Sequence, residues 1–205
     1  MKFLSLMLNK DRASRAQLFL GKLARIEPID IARINRIGAV DVAYEKDIGC
    51  TVYVESDFPS IKNVSIAKGF YPVKIEYVST YLAFREAPPI LNLMLNKVRR
   101  LPHLLLVNGH GLAHPRHCGL ATHIGVVLKV PTIGIARRSI GDPNSDFNRD
   151  FSSKLGRLHV SPGNMITLRQ AMEIVSKLPL NHNYPEPLGT AHLIAKEELE
   201  DHKIN

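Results

Sequence analysis

The chain has 205 residues, 45% hydrophobic and 22% charged, an ordinary balance for a packed domain with a sizeable core. Lys and Arg number 27 against 19 Asp and Glu, and the resulting charge of +8 favours a polyanionic partner such as nucleic acid. The two cysteines, Cys50 and Cys118, are too few for a disulfide framework, and no run approaches the ~20 apolar residues that span a bilayer.

Residues 1–8 are briefly apolar, but Asn9, Lys10, Asp11 and Arg12 follow without a small-residue cleavage site, so this is not read as a signal peptide. A cytoplasmic protein is expected, with 1–205 forming one domain and 1–30 an N-terminal helical segment. Residues 10–26 carry Ala13, Ala16, Leu20, Leu23 and Ala24 at helical spacing, which predicts an amphipathic helix. Residues 36–44 alternate toward a strand ending at Asp41, 51–55 make a second strand of β-branched and aromatic residues, and 63–75 supply a third. Together they predict an antiparallel meander.

Residues 77–86 lack a clear period. Pro88-Pro89 then opens an apolar helix through Val98, because proline is tolerated in a first helical turn, and Glu86 falls just before or at its start. Leu104-Leu-Leu-Val107 is a buried strand that delivers Asn108 to a sheet edge, where open α/β sheets gather their ligands. Residues 119–129 read as a helix and 131–136 as another buried strand, closing a βαβ unit. Residues 137–157 are polar and read as an exposed loop, 159–163 as a turn, and 167–178 and 189–203 as helices.

A meander followed by helix-connected parallel strands predicts an α/β, ribonuclease-H-like fold: a mixed central sheet flanked by helices. Nucleases of that fold hydrolyse phosphodiesters with Mg²⁺ held on oxygen ligands from separate elements. Asp41, Glu86 and Asn108 fit such a convergence.

The segments Val40-Asp-Val-Ala-Tyr44, Phe84-Arg-Glu-Ala-Pro88, Leu106-Val-Asn-Gly-His-Gly-Leu-Ala-His-Pro-Arg116, Pro131-Thr-Ile-Gly-Ile-Ala136, Val160-Ser-Pro-Gly163 and Pro185-Glu-Pro-Leu-Gly-Thr-Ala-His192 together resemble endonuclease V, in the family's order. The resemblance implies a Mg²⁺-dependent DNA-repair endonuclease, with Mn²⁺ as a substitute. Its expected partner is DNA containing deoxyinosine, cut at the second phosphodiester bond 3′ to the deaminated base to leave 3′-hydroxyl and 5′-phosphate ends. Some members prefer inosine in RNA, so an inosine-specific endoribonuclease stays open. By motif position Asp41, Glu86 and Asn108 correspond to the metal ligands, with His114, Arg137 and His192 near the site. His114 and Arg137 are expected to act on phosphate as positive donors. An extruded base is expected near Tyr77, Leu82 and Gly109.

This chain departs from the family's usual pattern. Asn108 stands where an aspartate is usual, and an amide still offers one carbonyl oxygen to a dication while removing a charge that helps hold it. A weakened metal site follows, and the alternative function is a catalytically weakened binder of deaminated nucleic acid. Asn108-Gly109 is also a deamidation-prone pair. Glu76-Tyr-Val-Ser79 replaces the usual Pro-Tyr-Ile-Pro wedge, keeping the aromatic ring without the prolines. Arg137 replaces the usual Lys, and the connection from Arg138 to His159 is shorter than the family's hairpin-bearing segment. His110, His114, His117 and Cys118 are zinc-ligand types, but their spacing matches no zinc motif and Pro115 breaks the helix that would gather them.

Overall fold

The computed structural model describes residues 7–140, 146–147, 149–153 and 156–204. A seven-stranded sheet runs in the order β3-β2-β1-β4-β5-β7-β6. Its first part is the antiparallel meander β1 (Arg36–Glu45), β2 (Ile48–Asp57) and β3 (Asn63–Pro72). β4 (Leu104–Asn108) and β5 (Thr132–Ala136) then add in parallel beside β1. Every residue from Leu104 to Val107 is fully buried, as expected of a strand covered on both faces, which reads as a continuous apolar run.

Two apolar layers cover the sheet. On one face Ile37, Ala39, Leu106 and Ile135 pack with Ile174 of α4 (Leu168–Lys177) and Leu188 of α5 (Glu186–Ile204). On the other, Val40, Leu105 and Val107 pack with Ala87, Ile90 and Leu93 of α2 (Leu82–Lys97) and Ile124 of α3 (Leu120–Leu128). α5 also lies along β1 and β2, where Ala191 and Ala195 close over Cys50 and Val52. The two cysteines are free and buried. Among the described residues no helix is long and apolar enough to cross a membrane.

The structure corrects several expectations. β1 continues to Glu45, so Asp41 lies inside the strand; what ends near it is the parallel ladder, whose last partners are Val40 and Val107. α2 begins at Leu82, and Pro88 and Pro89 lie within it. Burial of Ala83, Ala87, Ile90 and Leu93 on one stripe outweighs the two backbone bonds the prolines forfeit, so Glu86 occupies the second turn and not the helix start. α1 (Lys10–Leu23) forms as expected, yet its buried residues are Ala13 and Gln17, while Leu23 is half exposed.

Residues 156–164, read in part as a turn, are strand β7 (Gly156–Asn164), paired with β5 and with β6 (Arg149–Ser153), itself within the stretch expected to be a loop. Pro162 is tolerated because, among the described residues, β6 pairs with β7 only as far as Val160 and forms no ladder with it at Pro162. A hairpin is therefore present despite the short connection; residues 141–145, 148 and 154–155 lie outside the described residues. α5 starts at Glu186, three residues before the expected Gly189, with Pro187 accommodated in its first turn. A two-residue hairpin, β8 (Leu180–Asn181) with β9 (Tyr184–Pro185), precedes it.

Gly134 of β5 backs directly onto the segment that follows β4. A Cβ there would stand 2.5 Å from Gly111 N and 2.6 Å from Gly109 O. Gly134→Ala is expected to push that segment away and cost about 1–3 kcal/mol, read as a lower midpoint in urea unfolding; an unchanged midpoint would contradict this packing.

Candidate active site

Strand periodicity brings two functional side chains to one face. Ile37 lies opposite Leu104 and Ala39 opposite Leu106 in the parallel pair, and all four face the α4 side of the sheet. Asp41 and Asn108 follow two residues beyond Ala39 and Leu106, so a period of two keeps both on that face. The Asn108 Nδ2 donates to Asp41 Oδ1 at 2.8 Å. The amide must turn its NH₂ to Asp41, because its oxygen would otherwise meet a carboxylate oxygen. From α5, His192 Nδ1 donates to the other oxygen, Asp41 Oδ2, at 2.7 Å.

Glu86 arrives from the opposite layer, on the buried stripe of α2 between Ala83 and Ile90. It is 7% exposed, and its carboxyl is pushed from the ordinary 4.5 up to about 8, first by burial and then by the charge of Asp41. Tyr44 and Arg85 offset part of that shift. The buried Tyr44 hydroxyl meets no partner with good hydrogen-bond geometry, although Glu86 is near enough to hold its pKa well above that of a free phenol, after burial itself.

Asp41, Glu86, Asn108 and His192 line one cleft of about 510 Å³ together with Lys196 and Glu200. A neighbouring cleft of about 440 Å³ is lined by Tyr77, Ser79, Thr80, Gly109, His114 and Arg137, among others, and Leu82 and Asn108 belong to the walls of both. Nearly all the residues singled out in the sequence thus line these two adjoining spaces. Among the described residues no three His, Cys, Asp or Glu side chains converge as a metal-binding group. The oxygen donors of the first cleft include the carboxylates of Asp41 and Glu86 and the Asn108 amide, with Glu45 and Glu200 also on its walls.

His114 takes a different part from the one expected. It is 4% exposed, its Nε2 donates to the Thr80 carbonyl at 2.8 Å, and its Nδ1 accepts from the Arg116 backbone N–H at 3.1 Å. Burial lowers its pKa to about 4, so at neutral pH it is an uncharged brace and no phosphate-binding cation. His110 is likewise lowered to about 4 by burial, and its Nε2 meets the Arg138 carbonyl at 2.8 Å, while His117 Nδ1 meets the Leu112 carbonyl at 3.0 Å. Each imidazole of the histidine cluster turns to a different backbone oxygen.

Arg137 is exposed at the rim, its guanidinium 4.9 Å from the Tyr184 ring centroid and donating to the His182 carbonyl at 3.3 Å. Tyr184, on the far side, lies 5.3 Å from the His192 ring. This buried tyrosine joins Arg137 to His192, and sequence reasoning passed over it because a Tyr before Pro185-Glu-Pro187 carries no periodic signal. Gln17 was passed over as well, although an amide at the i+4 position from buried Ala13 is a readable sign of an inward polar contact. The Gly109 N–H donates to the Ile135 carbonyl at 2.9 Å, which occupies the nitrogen that must attack the Asn108 side chain in deamidation. The fold thereby protects this Asn-Gly pair.

A family profile for endonuclease V matches residues 20–154. The chain belongs to the endonuclease V family. It is 38% identical over 170 residues to endonuclease V of Thermococcus kodakarensis, covering 82% of each chain. The structure of endonuclease V from Streptomyces avermitilis superposes with a TM-score of 0.85 at 27% identity, covering 97% of this chain and 96% of that one. Endonuclease V of Ciona intestinalis, solved in complex with a 24mer DNA containing an inosine followed by a ribo-adenosine, has a TM-score of 0.82 at 24% identity, with 96% and 99% covered, and shares the fold. The fold is ribonuclease-H-like, as the order of elements predicts.

Two buried carboxylates side by side require either a proton or a cation between them. With Glu86 raised, the folded chain keeps a proton that the unfolded chain releases between about pH 4.5 and 8, so stability falls as pH rises through that window. In a chelator, Glu86→Gln is expected to melt at least about 4 °C above the parent at pH 8 and close to it at pH 4.5. Equal gaps at both pH values in thermal melts would overturn this reading.

Proposed function

We propose that this chain is a divalent-metal-dependent endonuclease that hydrolyses DNA beside deoxyinosine, at the second phosphodiester bond 3′ to the deaminated base. The carrying observation is the convergence of Asp41 and Glu86 in a cleft that shares Leu82 and Asn108 with a second space. Membership of the endonuclease V family supports the nuclease reading, and the Ciona relative's complex with inosine-containing DNA supports the choice of lesion.

The donor set suits a hard cation: two carboxylates, one of them held protonated at neutral pH first by burial and then by the charge of Asp41, plus an amide oxygen. Asp41, Glu86 and Asn108 are the residues proposed to hold Mg²⁺, or Mn²⁺ in its place. The bound ion would supply Lewis-acid polarisation of the phosphodiester and a more acidic water. His192 keeps Asp41 oriented through Oδ2. Arg137 presents an exposed cation for a phosphate, and as a planar fork it engages two oxygens where a lysine would engage a point. Tyr77, 67% exposed, offers a ring for stacking beside the displaced base, with Leu82 and Gly109 lining the space the base would enter.

A second reading rests on the Asn108–Asp41 hydrogen bond. That bond satisfies Asp41 without any cation, so an incoming ion must displace it before Asn108 can offer its oxygen. The site is then a weaker metal binder than one built from three carboxylates, and at the extreme a binder of deaminated nucleic acid with little turnover.

Incubation of a deoxyinosine duplex, an inosine RNA and undamaged controls with Mg²⁺ or Mn²⁺ separates these readings. Nicking of the deoxyinosine duplex by the parent and not by Asp41→Ala is the expected result. Preferential cutting of the RNA makes the chain an endoribonuclease, and tight binding without nicking in either metal establishes the binder. Asn108→Asp is expected to lower the Mg²⁺ concentration at half-maximal cleavage roughly tenfold. An unchanged metal titration would remove Asn108 from the metal site.

A further inference from the structure

Three side-chain donors converge on one carbonyl outside the carboxylate cleft. Thr80 O accepts from Gln17 Nε2 at 3.0 Å, His114 Nε2 at 2.8 Å and Arg116 Nη2 at 2.8 Å. Arg116 Nη2 also reaches Thr80 Oγ1 at 2.7 Å, and Arg116 Nε donates to Gln17 Oε1 at 2.7 Å. Gln17, 1% exposed, spends its Nε2 a second time on the Cys118 carbonyl at 3.0 Å. One buried amide on α1 therefore ties the segment before α2 to the segment after β4. A carbonyl oxygen has two lone pairs, so three donors over-determine the position of this one.

What they hold is unfavourable by itself. Thr80 has a φ of 67°, in the left-handed region that a β-branched residue avoids. Such a conformation persists only where its surroundings enforce it. The segment it ends carries Tyr77 and Ser79 onto the wall of the cleft beside Leu82 and Gly109. The neighbouring Tyr81 is fixed too, with the Arg116 guanidinium 4.4 Å from its ring centroid and its hydroxyl 2.8 Å from Ser14 of α1.

We infer that Gln17 and Arg116 are positioning residues that preset the 77–81 segment as a rigid wall of the cleft before nucleic acid arrives. α1 is thereby part of the recognition apparatus, though none of its side chains need touch the lesion. The inference rests on the proposed function only for the identity of what the wall grips.

The test uses the full chain and the variant Gln17→Leu, which keeps bulk and helix propensity while removing every polar contact of the amide. In the free protein, amide exchange of residues 76–82 followed by mass spectrometry is expected to accelerate roughly tenfold. With a deoxyinosine duplex and Mg²⁺, KM is expected to rise about tenfold while kcat stays within about twofold. In a Thr80→Gly background, where the left-handed conformation is free of strain, both effects of Gln17→Leu are expected to shrink.

Unchanged exchange over 76–82, a fall in kcat at constant KM, or an equal loss in the Thr80→Gly background would each overturn the inference. Arg116→Lys, which keeps the charge and loses the forked contacts, carries the same measurements if Gln17→Leu does not fold. If the parent nicks no inosine substrate, the functional reading fails while the exchange measurement still decides the clamp.

Discussion

Asp41 is the side chain on which the site depends. A carboxylate that is only 5% exposed is costly unless both of its oxygens are engaged, and here two separate elements engage them. Asn108 comes from the adjacent parallel strand and His192 from the helix that crosses the meander, while Glu86 approaches from the other layer and feels the charge. Seating that one group forces β1, β4, α2 and α5 into register at a single point. The sheet order makes this possible, because β1 has antiparallel β2 on one side and parallel β4 on the other.

Asn108 alters the energetics of the site more than its shape. An aspartate there would add a third carboxylate to a buried pair, a cluster that holds together only around a cation. The amide instead gives Asp41 a donor and lets the folded chain close its own site. Stability without metal and affinity for metal are thereby set against each other at a single atom. Glu86 sits on the same balance, since burial first and the charge of Asp41 second raise its pKa by more than Arg85 offsets.

The second cleft is built by a different principle. Most of its lining residues lie in segments between regular elements, where backbone rather than side-chain periodicity decides geometry. Gly134 lets the segment after β4 pack against β5, and the donors on Thr80 hold the segment before α2. His114 shows how such a wall uses a residue that looks chemical: buried between two backbone groups and uncharged, it supports the wall and leaves the rim to exposed Arg137 and Tyr77.

By itself, the sequence determined the strands of the meander, the buried β4–α3–β5 unit and the family, because alternation and continuous apolar runs record burial directly. That Asp41 and Asn108 share a face came only from the strand register, because a strand apolar at every position from Leu104 to Val107 does not show which of its residues faces which layer. Local rules failed where distant contacts outweighed them. Proline chemistry placed the start of α2 six residues late, since burial of its apolar stripe exceeded the lost backbone bonds. A proline in β7 suggested a turn, because nothing local reveals which side of a strand lacks a partner. The hydrogen bond from His114 to Thr80, the donation from Asn108 to Asp41 and the role of Gln17 were decided only in three dimensions. Each depends on a group 34, 67 or 63 residues away in the chain. Burial and hydrogen-bond partners at that range have no local pattern to announce them.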